Sequence, residues 1–325
     1  ANVLLPSIPS PPTYFISAVF KSCRSLGNIL CLMITPKLVE ILHKWPGGRI
    51  DLISKGDVAR LQLNRPDKSN CLSGEMMFQL GEKLQTLDDF SSCGVLVVEG
   101  AGNSFCSGAD LGLIDQTLDD FSSCGVLVVE GAGNSFCSGA DLGLIDQLCN
   151  PSLGEAMFRF MSSSLGMIRS SPLVSVARIH GNCLGGGTEI ASMCDLRLAH
   201  KDSKFGFMQS RLGIVPSWGG ANYLASIVGR STALRLMTTA TMLNASQAKD
   251  IGFVDVVYDS EDDFEEFISS MLKSGANVCR AQKAMLNAVE NGKEDDKFGV
   301  IRSVWGGTAQ RNALTRQLEA VKSKK

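Results

Sequence analysis

The run Gly181-Asn182-Cys183-Leu184-Gly185-Gly186-Gly187-Thr188-Glu189 constrains this chain more than any other stretch. It follows the apolar, β-branched segment Leu173-Val174-Ser175-Val176-Ala177-Arg178-Ile179 and precedes Ile190-Ala191-Ser192-Met193-Cys194, an order that reads as a strand, a glycine turn and the start of a helix. A helix entered through glycines leaves its first backbone N–H groups without intrahelical acceptors, and the missing Cβ atoms let a negative oxygen approach them. The spacing is neither Gly-x-Gly-x-x-Gly nor a P-loop, which needs Lys-Ser/Thr after its last glycine, so nucleotide binding is not its purpose. Two uses remain open at this point, an oxyanion site and a close helix–strand contact.

A second element has the same chemistry. Asn-Ser-Phe-Cys-Ser-Gly-Ala-Asp-Leu stands at 103–111 and again at 134–142, each time after Gly-Val-Leu-Val-Val-Glu-Gly and an intervening Ala-Gly. A buried apolar strand thus ends in another small-residue turn. With the two turns in this order, the sequence resembles the crotonase (enoyl-CoA hydratase/isomerase) superfamily over roughly residues 46 to 325. The resemblance implies an α/β crotonase fold, in which repeated ββα units form a spiral core followed by a C-terminal helical region. It also implies that two backbone N–H groups meet at the oxygen of an acyl-CoA thioester. Carried over by motif, the donors are the N–H of Gly186 and that of Ala140, or of Ala109 if the first copy is used; Glu189 aligns with the first catalytic glutamate of the family. Gly185, Gly139, Gly108, Asp141, Asp110, Gln209, Pro216 and Trp218 are expected around the substrate, and Lys68 to Leu72 beside the coenzyme A adenine. For Trp218 a plain role as a loop anchor stands beside pocket contact.

Residues 86–116 recur without a single change as residues 117–147. Structural repeats normally diverge and come in larger numbers to bury a shared face, whereas this is one doubling of a strand-plus-turn unit, as a duplicated exon would give. A crotonase sheet has one place for the unit. The copies are expected to compete for it, and the loser must find shelter for Val-Leu-Val-Val, an aggregation liability if exposed. The second copy is expected to win, because its displaced partner then lies away from the strand ends that carry chemistry.

The reaction turns on one position. In the segment around Leu212-Gly213-Ile214-Val215-Pro216-Ser217-Trp218-Gly219-Gly220, hydratases of the superfamily keep a second glutamate four residues before the first glycine; here that position is Gln209. Hydration of an enoyl thioester needs two carboxylates with separated pKa values, and an amide exchanges no proton at neutral pH. A hydratase is therefore disfavoured, and a double-bond isomerase weakened. Loss of CO2 from a malonyl-type thioester needs little beyond the two N–H donors, since the electrons of the broken bond delocalise onto the thioester oxygen. Glu189, or a water it holds, would return a proton. Lys44-Trp45-Pro46-Gly47-Gly48, Ile214 to Gly220 and Val304-Trp305-Gly306-Gly307 resemble a branch of the superfamily that decarboxylates ethylmalonyl-CoA and, more slowly, methylmalonyl-CoA as cytosolic metabolite repair. The alternatives are a hydratase or isomerase, and a non-catalytic protein of the same fold.

Composition narrows the partners. A net charge of −2 without any block of five like charges speaks against nucleic acid and against a polybasic membrane contact. Eleven cysteines without a Cys-x-x-Cys pair, and only three histidines, give no zinc constellation and read as reduced, buried thiols. No metal or separate cofactor is expected, coenzyme A being part of the substrate. Residues 1–43 read as an N-terminal extension: Ala1 to Pro12 is uncharged with four prolines, and Lys21, Arg24 and Lys37 are the only charges before Glu40. Such composition suits either a mitochondrial targeting segment or an alternative, disordered N-terminus of a cytosolic protein. Residues 44–260 are expected to form the core, and 261–325 a helical region that builds a homotrimer or hexamer. On its last segment Ala313, Leu314, Leu318 and Val321 make an apolar stripe.

Overall fold

The structure, a computed structural model, describes residues 41–42, 44–55, 58–64, 73–76, 79, 94–100, 125–131, 134–139 and 142–323. The segment before residue 41 and the adenine-side loop 68–72 lie outside the described residues. Lys55-Gly56-Asp57 separates two alternating runs, and these form the antiparallel hairpin β1 (Arg49–Lys55) and β2 (Val58–Asn64). The further strands are β3 (Gly94–Gly100), β4 (Gly125–Glu130), β5 (Ser135–Cys137), β6 (Val174–Ile179), β7 (Asn182–Leu184), β8 (Leu196–His200), β9 (Lys204–Gly206), β10 (Leu243–Asn244) and β11 (Val256–Tyr258). They make a seven-stranded sheet in the order β1-β2-β3-β4-β6-β8-β11 and a four-stranded sheet in the order β10-β9-β7-β5. From β2 to β11 every pairing in the large sheet is parallel. These sheets and the helices between and after them are the α/β crotonase architecture that the two turns implied.

The duplicated segment does not behave as expected. Both copies of Gly-Val-Leu-Val-Val enter the large sheet, β3 from the first and β4 from the second, paired in parallel with each residue opposite its own duplicate from Gly94↔Gly125 to Val98↔Val129. Neither copy of this strand is displaced, and the sheet holds both side by side. The physical reason is that an apolar strand inserted between β2 and β4 pairs its backbone groups on both sides, which no exposed location would allow. The second copy alone borders β6, because the chain runs from it directly into the helix Pro151–Ser170 that leads to β6.

β4 shows why a run without polar alternation suits this place. Leu127 and Val129 belong to the core cluster built with the helix Pro151–Ser170, and Val126 and Val128 to the one with Phe264, Ile268 and Cys279. A strand covered on both faces needs apolar residues at both parities. The helix Pro151–Ser170 starts where Asn150 accepts from the Ser152 N–H at 3.0 Å with proline in the first turn. The other face is held by Ala276–Glu290, whose Lys283 is nearly buried and reaches Asp195 Oδ2 at 2.7 Å and the Leu173 carbonyl at 2.8 Å.

Helices Glu261–Leu272, Ala276–Glu290, Glu294–Val304 and Thr308–Lys322 close the chain. They make up the helical region expected over 261–325, and the last buries no residue of its own. No helix among the described residues is long and apolar enough to cross a membrane.

Removing either copy yields one and the same chain. That variant is expected to pair β2 directly with β4 and to melt cooperatively with an unchanged site. Circular dichroism and thermal melting beside the full chain check this, and a variant that fails to fold would mean that the sheet with both strands is required.

Candidate active site

The small sheet places the two glycine turns side by side. β5 and β7 pair in parallel, Cys137 opposite Cys183, so that Ser138-Gly139 and Leu184-Gly185-Gly186 leave their strands at the same edge. The chain passes from β6 into β7 through Gly181, at φ 55°, where a Cβ would lie 1.9 Å from the Asn134 carbonyl oxygen. Only glycine allows that crossing. A Cβ on Gly139 would stand 4.0 Å from the Gly186 nitrogen, and one on Gly185 3.8 Å from the Gly139 Cα, so the turns touch. Ala140 and Asp141 follow immediately and lie outside the described residues, as do Gly108, Ala109 and Asp110 of the first copy.

Gly186 opens the helix Gly186–Met193, with Gly185 as its N-cap. The Gly185 carbonyl accepts from the Thr188 N–H at 3.0 Å and the Thr188 hydroxyl at 2.6 Å, which fixes the first turn. The Gly186 N–H has no acceptor among the described residues. At this position the need for glycine is one of room: a Cβ would meet Trp218 Cζ3 at 2.3 Å. Trp218 is 2% exposed and belongs to the main core cluster, so its ring backs Gly186 from inside instead of presenting a face to solvent. Pro216, two residues earlier, is half-buried.

Glu189 lies in the first turn of the same helix and is 3% exposed. Its Oε1 accepts from Gln209 Nε2 at 2.9 Å and from the Ser217 N–H at 3.2 Å; its Oε2 accepts from the N–H groups of Trp218 at 2.8 Å and Gly220 at 3.0 Å. Burial pushes the carboxyl above its ordinary value, and the four donors act against it. No second described carboxylate acts on it. Four donors occupy both lone pairs of each oxygen, and the helix Gly220–Val228 thereby starts on a buried anion. A Cβ on Gly220 would lie 2.6 Å from Glu189 Cγ, so glycine is required there too. Ser217 and Gly220 were not singled out from sequence; the Gly219-Gly220 pair ahead of a helix was the available signal.

Gln209 sits in the short 3-10 turn Met208–Leu212 and is 6% exposed. Its amide orientation follows from Glu189, which offers only acceptors to it. Its own Oε1 has no hydrogen-bond partner among the described residues, an arrangement costing about 1–3 kcal/mol for a buried polar atom. Cys183, within the run 181–189, and Cys194, just after it, are fully buried, and burial pushes both thiols up, that of Cys194 to about 12, which works against a nucleophilic thiolate. No described group of three or more His, Cys, Asp or Glu residues could hold a metal ion.

Fold and turns define the class. The pattern of the enoyl-CoA hydratase/isomerase family matches residues 54–120 and 115–300, two pieces that meet inside the duplicated segment, and the chain belongs to that family of enzymes. Among its relatives, the ethylmalonyl-CoA decarboxylase of Bos taurus is 33% identical over 288 residues, covering 85% of this chain and 84% of its own. That of Xenopus tropicalis is 31% identical over 309 residues, covering 92% and 93%, and that of Homo sapiens 32% over 292 residues, covering 86% and 84%. Of the solved structures, an enoyl-CoA hydratase of Mycobacterium smegmatis superposes with a TM-score of 0.66 at 23% identity, over 85% of this chain and 97% of its own.

Proposed function

We propose that this enzyme is a carboxy-lyase that removes CO2 from a malonyl-type acyl-CoA, ethylmalonyl-CoA first and methylmalonyl-CoA second. The observation that carries the reading is the contact between Gln209 and Glu189. Where addition of water would need a second acid, the site has an amide whose N–H is spent on the only described carboxylate present. The names of the decarboxylase relatives support the same substrate class. In this reading the thioester oxygen lies against the Gly186 N–H and the N–H of Ala140 from the second copy, whose strand β5 borders β7. The substrate carboxylate stands out of the thioester plane, its C–C bond breaks, and the electron pair enters the enolate held by the two donors. Each donor supplies about 2.7–4 kcal/mol in comparable oxyanion sites.

Gly185 and Gly139 let the substrate approach the donors, and Asp141 and Pro216 are carried over by motif as further substrate-binding residues. Trp218 acts through Gly186. The role is repair of side-reaction products in the cytosol, with a mitochondrial address as the alternative that the N-terminal composition leaves. No cofactor is needed beyond the coenzyme A of the substrate. In this reading the last helix builds a homotrimer or hexamer, and the exposure of Leu314, Leu318 and Val321 at 53%, 60% and 56% supports it.

The test compares CO2 release from ethylmalonyl-CoA with hydration of crotonyl-CoA. Decarboxylation is expected to dominate by at least about 10²-fold, because a second acid–base group is typically worth that much to water addition. Hydration as the faster reaction would reject the assignment.

A further inference from the structure

After CO2 has left, the enolate still needs a proton at its α-carbon, and Glu189, in the first turn of the helix that Gly186 opens, and its partner Gln209 differ in their ability to give one. Glu189 is poorly placed to do so: Gln209, Ser217, Trp218 and Gly220 donate to its two oxygens, and a proton on either would displace one of these bonds. The neighbouring carbonyl of Gln209 has the opposite character. Its amide is oriented by Glu189, it is 6% exposed, and its Oε1 has no partner among the described residues. Such an oxygen calls for a donor. The acyl portion of a malonyl-type thioester has only acceptor oxygens and C–H groups, so the substrate's reacting end cannot supply one. Water can, since it donates one hydrogen to a carbonyl while offering the other to a carbanion.

We infer that the Gln209 carbonyl seats a water molecule that delivers the proton to one face of the enolate α-carbon, an inference that rests on the decarboxylation reading. The step balances simply. The α-carbon takes a proton from water, the electron pair of the broken O–H bond stays on oxygen as hydroxide, and the hydroxide takes a proton from bulk solvent. One solvent proton is consumed for each CO2 released. Gln209 is thus a positioning residue that acts through the water it orients, and the replacement of a carboxylate by an amide at this position keeps the proton donor too weak an acid to discharge elsewhere.

The experiment is decarboxylation of ethylmalonyl-CoA in D2O, sampled at early times, with the configuration of the deuterium-bearing α-carbon of the butyryl-CoA product as the readout. The wild-type enzyme is expected to give one configuration. Gln209→Met, of similar volume but without an acceptor, is expected to slow CO2 release by roughly 10²-fold and to give both configurations, because bulk water then reaches either face. Gln209→Glu, with its carboxyl protonated against Glu189, keeps a carbonyl and is expected to retain one configuration. A mixed product from the wild type, or a single configuration from Gln209→Met, overturns the inference. If Gln209→Met does not fold, both configurations from Gln209→Glu, which keeps the carbonyl, overturn the inference as a mixed wild-type product does. No CO2 release by the wild type would instead remove the decarboxylation reading, and this inference with it.

Discussion

Gly186→Pro is expected to lower CO2 release from ethylmalonyl-CoA by about 10²–10³-fold, the effect of deleting one oxyanion donor. Proline suits the first position of a helix, where its missing N–H breaks no intrahelical bond and its φ is already near the helical value. The helix Gly186–Met193 should therefore survive, and with it the buried Glu189. Proline also brings a Cβ into a space where Trp218 Cζ3 would be 2.3 Å away, so crowding must be separated from donor loss. Gly186→Ala does this, since it adds the same Cβ and keeps the N–H. Overpacking of this kind costs about 1–3 kcal/mol, and both variants should share that loss in thermal melts. Only the proline variant should show the further drop in turnover. Adding Trp218→Leu to Gly186→Ala is expected to return stability and part of the activity. Equal activities of the alanine and proline variants would mean that the Gly186 N–H does not touch the reacting oxygen.

What sequence alone discloses here depends on how local the cause is. The hairpin β1–β2 is written into Lys55-Gly56-Asp57 between two alternating runs, and the helix Pro151–Ser170 into Asn150-Pro151 followed by apolar residues at helical spacing. The glycine turn before Glu189 is equally local. The fate of the duplicated segment is not. Two identical strands have identical propensities, and their places are set by which chain end connects to β6, a matter of long-range pairing. The donors around Glu189 were hidden for a related reason: three of the four are backbone N–H groups 28 to 31 residues away, and a backbone donor leaves no mark in residue identity. Gln209 was visible as a departure from two carboxylates, but its bond to Glu189, and an Oε1 without a partner among the described residues, depend on how segments distant in sequence fold together.

Those backbone donors make Glu189→Ala the second large expectation. The substitution leaves the N–H groups of Ser217, Trp218 and Gly220 and the Gln209 amide without their common acceptor in a buried place. Orphaned buried donors cost about 1–3 kcal/mol each before relaxation, and removal of the desolvated carboxylate returns part of that. A net loss of about 3–4 kcal/mol follows, read as a melting temperature lower by roughly 5–10 °C in a chain of this size. Turnover should fall in parallel, because Glu189 holds the Ser217–Gly220 turn, the turn carries Trp218, and Trp218 backs the Cα of Gly186. Here the two roles open to Glu189 predict different data. A proton source that does not anchor the turn would lose turnover on substitution while the melting temperature stayed within about 1 °C, as for an ordinary change with no structural mechanism. An anchor loses both together, and Glu189→Gln, which sets an NH2 group against two of the four donors, should lie between alanine and the wild type on both scales. Since the anchor's effect passes through the position of Gly186, it should fall on the rate of CO2 release at saturating substrate more than on the concentration needed for half-saturation.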